Sequence, residues 1–451
     1  MRFPPGVVPS KTPGGRGGPA VAYVNARIVD PAAGTVAAGG MVVRDGLVAD
    51  IGAHLAKAAA LSAAGPHGME TIDCGGKCLA PGLIDMRVQI REPGEEHKET
   101  ISTASEAAAA GGVTTMVALP NTRPVIDDAA LVESVARLAR ETSLVRVHTY
   151  AAVTRGLNGK EMTEFGLLAA AGALGFTDAT HATVDAQLMR RALSYAKAFG
   201  LPLIQHPEEP QLARGAMNEG ELSTRLGIPG IPAAAEIIQI ERDIRLAELT
   251  GGRLHIAHVS TAEGVAAIRA AKRRGVRITC DTAPHYFALN ELALTDYRTF
   301  AKVSPPLRGE TDRRAVVEGL ADGTIDAVAS DHSPHDQDSK RLPLAQAAFG
   351  TVGLETLLPV LLELVHNASL SLPAALALVT SRPAALLGLK EGRLAKGAAA
   401  DFVVFDPDAP WKVDAKKLRS KSKNSAFDGR LVQGRVHRTV AAGIPVHLEG
   451  G

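Results

Sequence analysis

Along the middle of the chain, short apolar runs alternate with Ala-rich stretches whose apolar residues fall at helical spacing. The runs cover residues 83–90, 113–119, 145–153, 173–176, 202–206, 253–258, 277–281 and 325–330. Between them lie segments such as SEAAAAGG, AALVESVARLARE and VDAQLMRRALSYAKAFG. A series of eight strand–helix units predicts an α/β fold, a closed parallel (β/α)8 TIM barrel with its chemistry at the C-terminal ends of the strands. Outside this region the pattern changes. From Val21 to Ala80 it reads as short strands and turns, and similar runs return in GRLAKGAAADFVVFDPDAPWKV and RLVQGRVHRTVAAGIPVHL. The two ends are therefore expected to share one small β-sandwich. The expected boundaries are a flexible tail over 1–18, the β-sandwich from 19–80 and 389–451, and the barrel over 81–388.

Composition narrows this picture. The length of 451 residues accommodates a barrel of about 250–300 residues plus an accessory domain. An open doubly wound sheet is the main competitor, but no strand-to-helix turn carries G-x-G-x-x-G or a Walker lysine loop. Basic and acidic residues, 49 and 48, nearly cancel, so no global field points to nucleic acid or an anionic membrane, and a small-molecule partner is expected. Three cysteines, Cys74, Cys78 and Cys280, do not suggest a disulfide framework and fit a reducing cytoplasm. The spacing in CGGKC would suit a zinc knuckle, but no second pair completes four ligands, so small buried residues are the expectation. Prolines and glycines interrupt the N-terminus where a secretory signal would need an unbroken apolar run.

Asp178, His206, His258 and Asp331 fall at or just beyond the ends of the fourth, fifth, sixth and eighth predicted strands. Singly, each reads as a hydrogen-bonded structural group. Together, two imidazoles and two carboxylates at one barrel mouth form a candidate divalent-metal cluster.

The longer motifs carry a family resemblance. PGLIDMRVQIREPGEEHKET, ALPNTRPVID, GFTDA, MNEGELSTRLGIPGIPAAAE, HIAHVST, SPPLRGETDRRAVVEGLADGTIDAVASDHSPH, AAFGTVGLET and SKSKNSAF resemble the type I dihydroorotases of the amidohydrolase superfamily. The resemblance implies a zinc-dependent cyclic amide hydrolase of pyrimidine biosynthesis that interconverts N-carbamoyl-L-aspartate and (S)-dihydroorotate. By position it makes Asp178 the bridging carboxylate, His206 and His258 metal ligands, and Asp331 the metal-contacting general acid/base. It also assigns Arg91, Asn121 and His335 to the substrate carboxylate, and the backbone at Phe349 and Gly350 to the ring amide edge. Ser304 stands where the family usually has the Asn of NPPLR.

One block departs from the family. Its first strand ends in H-x-H, two imidazoles that clasp the more buried metal, whereas this chain has Arg87-Val88-Gln89. Strand alternation sends both side chains to one face, into the mouth. A guanidinium cannot ligate zinc, and Gln offers only a neutral oxygen. Two outcomes are open. Arg87 pairs with Asp331 or Asp178 as a substitute cation, or Asp178, His206 and His258 hold a single zinc, assisted by His97 or His181. The resemblance thus implies a dihydroorotase first and, second, a non-catalytic subunit that assembles with aspartate carbamoyltransferase. It also implies a homo-oligomer. A hydantoinase or allantoinase ranks third, because those relatives generally use a carboxylated lysine where Asp178 stands.

Overall fold

The structure is a computed structural model that describes residues 20–56 and 69–450, so the predicted tail lies outside the described residues. In the middle of the chain, the first three barrel strands, Leu83–Val88, Val113–Ala118 and Arg146–Thr149, pair in parallel order. Leu203–Gln205, Leu254–Ile256, Ile278–Thr282 and Ala327–Val328 form a second parallel set. Single bridges from Ala151 to Phe176 and from Phe176 to Leu203 join the two sets, and a bridge from Val88 to His332 closes the ring. The fourth strand, expected over 173–176, is thus reduced to Phe176. Its neighbour in the ladder, Pro202, has no N–H to donate and only accepts from the Phe176 amide.

The expected helices form where their caps stand. Thr100, Asp128, Asp185 and Thr261 accept from backbone amides at the starts of Ile101–Ala110, Ala129–Thr142, Ala186–Lys197 and Ala262–Arg273. Their small and branched residues, including Ala104, Ala108, Val135, Leu193 and Ile268, are buried in the main core with barrel residues such as Val113 and Ile256. None of the helices among the described residues is long and apolar enough to cross a membrane.

The two chain ends build one eight-stranded sheet. Val21–Asp30 lies beside Cys78–Pro81, which pairs with Phe402–Lys412 from the far end. The hairpin of Thr35–Arg44 and Leu47–Gly52 reaches back to residues 398–400, so the sheet curls around a core of Tyr23, Met41, Leu79, Phe402 and Val440. Cys74 belongs to this core and Cys78 to the main one, both as buried free thiols. A buried ion pair, Arg146 to Asp401 at 3.0 Å, ties the third barrel strand to the sheet, and the same carboxylate accepts from the Ala442 amide.

Candidate active site at the barrel mouth

A cavity of about 280 Å³ opens at the C-terminal ends of the strands. Arg87, Gln89, Arg91, Asn121, Ser304, Asp331, His335, Phe349 and Gly350 line it together with Thr180 and Ser333. Asp178, His206 and His258, also expected at the mouth, do not line it.

Arg87 is 3% exposed and stands at the end of the first strand, where its Nε donates to Asp331 Oδ1 at 2.8 Å and its Nη2 to the Ala179 carbonyl at 3.1 Å. Nη1 has no hydrogen bond among the described residues and belongs to a side chain that lines the cavity. Burial pushes the Asp331 carboxyl above its ordinary range, although the adjacent guanidinium opposes the shift. Gln89 is equally committed: its Nε2 donates to Ser333 Oγ at 2.6 Å, and its Oε1 accepts from Asn121 Nδ2 at 3.0 Å. Both residues at the H-x-H positions therefore face the mouth, each inside its own hydrogen-bond network.

The groups expected to hold a metal gather only as a pair of histidines. Asp178 accepts from the Thr154 amide at 2.9 Å on one oxygen and from the Thr154 hydroxyl at 2.7 Å on the other. Burial pushes its carboxyl up to about 6, against the lowering by these hydrogen bonds. His206 and His258 do converge, with Nδ1 and Nε2 3.0 Å apart. The His206 Nε2 lies 3.2 Å from Glu208. One of the two facing nitrogens carries the proton of this contact, which would have to leave before both could meet a metal. Among the described residues no group of three or more His, Cys, Asp or Glu side chains is placed to hold a metal ion. His97 and His181 are both exposed and add nothing to the set. Of the two outcomes open in the sequence, the residues fit the first, with Arg87 on Asp331, and do not fit a three-ligand metal.

On the opposite wall, Arg91 is buried and held by Glu95 at 3.1 Å and by the Pro334 carbonyl at 3.1 Å, with its Nη2 3.3 Å from His335 Nε2. The Phe349 carbonyl, 2.8 Å from the same His335 nitrogen, can only accept, so Nε2 carries the proton and the contact with Arg91 is not a hydrogen bond. Burial and neighbouring Arg91 push His335 down to about 3, so the ring stays neutral. Its single proton fixes the Phe349 carbonyl, which leaves Arg91 Nη2 and the second Asn121 amide proton as donors toward a ligand carboxylate. The Gly350 amide is taken by the Lys302 carbonyl at 2.9 Å. Ser304 donates to Glu208, whose burial is more than offset by hydrogen bonds from His206 and Ser304, so its carboxyl stays below the ordinary range.

Sequence reasoning missed three supporting residues. His285 follows the seventh strand, the one strand end of the second set that had no candidate. It is 1% exposed, its Nε2 lies 4.0 Å from Asp331 Oδ2, neither ring nitrogen has a hydrogen bond, and burial pushes it down to about 3. Asp281 accepts from the His258 amide at 2.7 Å and from the His255 ring at 2.9 Å. Asn424, in the SKSKNSAF motif, donates to the Ser333 and Gly350 carbonyls at 3.0 and 3.1 Å and accepts from the His335 amide at 3.0 Å. A histidine in APHYF beside a predicted strand end was a readable signal for the first; the other two are contacts distant in sequence. His332 turns away from the mouth toward Glu99 at 3.4 Å.

A family model described as Dihydro-orotase-like matches residues 76–264. The chain is 46% identical over 431 residues to a dihydroorotase of Anaplasma phagocytophilum, covering 95% of each protein. It is 45% identical over 427 residues to one of Anaeromyxobacter sp. strain K, covering 94% of this chain and 97% of that one. Among solved structures, an L-hydantoinase (dihydropyrimidinase) from Arthrobacter aurescens superposes with a TM-score of 0.84 at 28% identity over 96% of each chain. A dihydropyrimidinase from Brevibacillus agri, at 22% identity and a TM-score of 0.79 over 95% of each chain, shares the fold. Near-full-length identity at this level, on a closed barrel with a terminal β domain, places the chain in the dihydroorotase family.

Proposed function

We propose that the chain is a dihydroorotase, interconverting N-carbamoyl-L-aspartate and dihydroorotate, and that its Arg87–Asp331 pair stands where the family's metal would act. The observation that carries this reading is the shared cavity: Arg87 and Asp331 line it together with Arg91 and Asn121. In the ring-opening direction, Arg91 and Asn121 hold the substrate carboxylate, for which a guanidinium fork is suited. Water adds to the ring carbonyl carbon and passes its proton to Asp331. The oxyanion forms toward the unclaimed Nη1 of Arg87. Collapse breaks the ring C–N bond, and Asp331 returns the proton to the leaving nitrogen. Positioned acid–base groups contribute about 10²–10⁴-fold and one oxyanion donor about 10²–10³-fold. The expected turnover is therefore well below that of an enzyme whose water is activated by a metal.

Family membership implies a metal cofactor in general, and zinc on Asp178, His206 and His258 would be its specific form here. The Thr154 bonds to Asp178 and the His206–His258 hydrogen bond count against it. Dihydroorotate hydrolysis at pH 8, with chelator and with added zinc, tests the proposal. Turnover that survives chelation and disappears in Arg87→Met supports it, whereas turnover that needs zinc and disappears in His258→Ala refutes it.

One observation favours a second reading, a non-catalytic subunit that assembles with aspartate carbamoyltransferase: Arg87 and Gln89 are both locked into networks that hold the mouth together. Ligand binding without turnover, together with a stable complex with the carbamoyltransferase, is the result expected of it. The hydantoinase reading is weaker, since Arg91 and Asn121 fit a ring that carries a carboxylate and simple hydantoins lack one. A small-molecule substrate, a cytoplasmic setting and a homo-oligomer go with the first reading.

A further inference from the structure

The charged segment DQDSKRLPL after the eighth strand, residues 336–344, contains a lysine that is 1% exposed. Lys340 Nζ donates to the Ala348 carbonyl at 2.7 Å within its own loop and to the Thr299 and Lys302 carbonyls at 2.9 and 3.4 Å across from it. Lys302, 2% exposed, reaches the other way, donating to the Leu344 and Ala345 carbonyls at 2.7 and 3.1 Å. Its ammonium also lies 4.3 Å from the centre of the Phe349 ring. Every hydrogen-bond acceptor of the two ammonium groups is a carbonyl oxygen. Lysine is rarely fully buried, and a buried cation persists only where its donors are satisfied.

We propose that Lys302 and Lys340 are positioning residues that form a reciprocal clasp between residues 299–304 and 336–350, fixing Phe349 and Gly350 as one wall of the cavity. The clasp acts through three contacts. The Lys302 ammonium lies against the Phe349 ring, the Lys302 carbonyl accepts the Gly350 amide, and the Phe349 carbonyl is the acceptor of His335. Neither segment can move without leaving an ammonium and several carbonyls unpaired, so the wall holds or opens as a unit. Its importance for substrate rests on the reading given above, in which this cavity takes N-carbamoyl-L-aspartate.

Amide hydrogen exchange and calorimetric binding of N-carbamoyl-L-aspartate, on the full chain, test the proposal. In the wild-type protein the Ala348 and Gly350 amides should exchange as slowly as barrel amides; fast exchange there overturns the clasp without any variant. In Lys302→Met and Lys340→Met, exchange across 299–304 and 336–350 should rise by about tenfold or more while the barrel strands stay protected. The dissociation constant should rise by about tenfold, and Lys340→Arg, which keeps a cation, should recover part of the loss. Unchanged exchange in both Met variants overturns the clasp. A loosened loop with unchanged affinity overturns the positioning role. A protected loop in a wild-type protein that binds no ligand removes the substrate reading, and with it the positioning role, and leaves only the clasp.

Discussion

Arg87→Met is the most informative single change. It leaves the Asp331 side chain, 10% exposed, without its cation and removes the bond to the Ala179 carbonyl. At 2.8 Å and an effective dielectric constant of about 20, the gross attraction between the two charges is about 6 kcal/mol. Desolvation cancels part of it, and breaking one side of a buried pair costs about 3–5 kcal/mol. Asp331 has a second way to relieve the loss, because burial already raises its carboxyl and removing the guanidinium raises it further. The loss should therefore be larger at pH 8 than at acidic pH, since a raised carboxyl takes up a proton more readily as pH falls. Urea unfolding of Arg87→Met, Asp331→Leu and the double variant measures the coupling. A coupling of about 2 kcal/mol or more is expected at pH 8, since the double variant leaves no unpaired charge. Single effects that add to within about 0.5 kcal/mol would show that the pair carries no specific energy, and Arg87 would lose its place in the account.

Three further predictions concern groups around the mouth. Burial holds the Asp85 carboxyl at about 6 in the folded chain against an ordinary 3.8, so the folded state keeps a proton that the unfolded chain releases between about pH 4 and 6, and stability from this group falls as pH rises through that window. Asp85→Asn should consequently be more favourable at pH 8 than at pH 4 by ~2 kcal/mol, read from urea midpoints; a pH-independent effect would contradict the assignment. Asn424→Ala should cost about 2–4 kcal/mol and weaken ligand binding, because it strips partners from two carbonyls and the His335 amide; an effect below about 0.5 kcal/mol would rule out that bracing role. Gly350→Ala should cost about 3 kcal/mol: its φ is 131°, and an added Cβ would stand 2.5 Å from the Ser333 Cβ, so a thermal midpoint equal to wild type would refute the close approach.

The barrel was legible because its signal is local and periodic. Apolar runs such as 83–90 and 113–119 became strands, and Ala-rich stretches such as AALVESVARLARE and VDAQLMRRALSYAKAFG became helices. The joining of both chain ends in one β domain was also readable, since neither end carries enough strands to close a core alone. At the site, alternation correctly sent Arg87 and Gln89 into the mouth, because the strand period is a backbone property. What those side chains bond to was not readable. The bond from Arg87 to Asp331 and the chain from Asn121 through Gln89 to Ser333 join strands far apart in sequence. The engagement of Asp178 by Thr154 was hidden for the same reason, and a charged run such as DQDSKRLPL gives no sign that its lysine is buried among carbonyls.

This mouth offers a guanidinium where its relatives' family is expected to use a metal. The most direct measurement is dihydroorotate hydrolysis at pH 8 by chelator-treated protein whose metal content has been determined, with Arg87→Met and His258→Ala run alongside. Slow turnover without metal, lost in Arg87→Met and retained in His258→Ala, is the expected result. Turnover that appears only with stoichiometric zinc and vanishes in His258→Ala would contradict it and restore the metal to Asp178, His206 and His258.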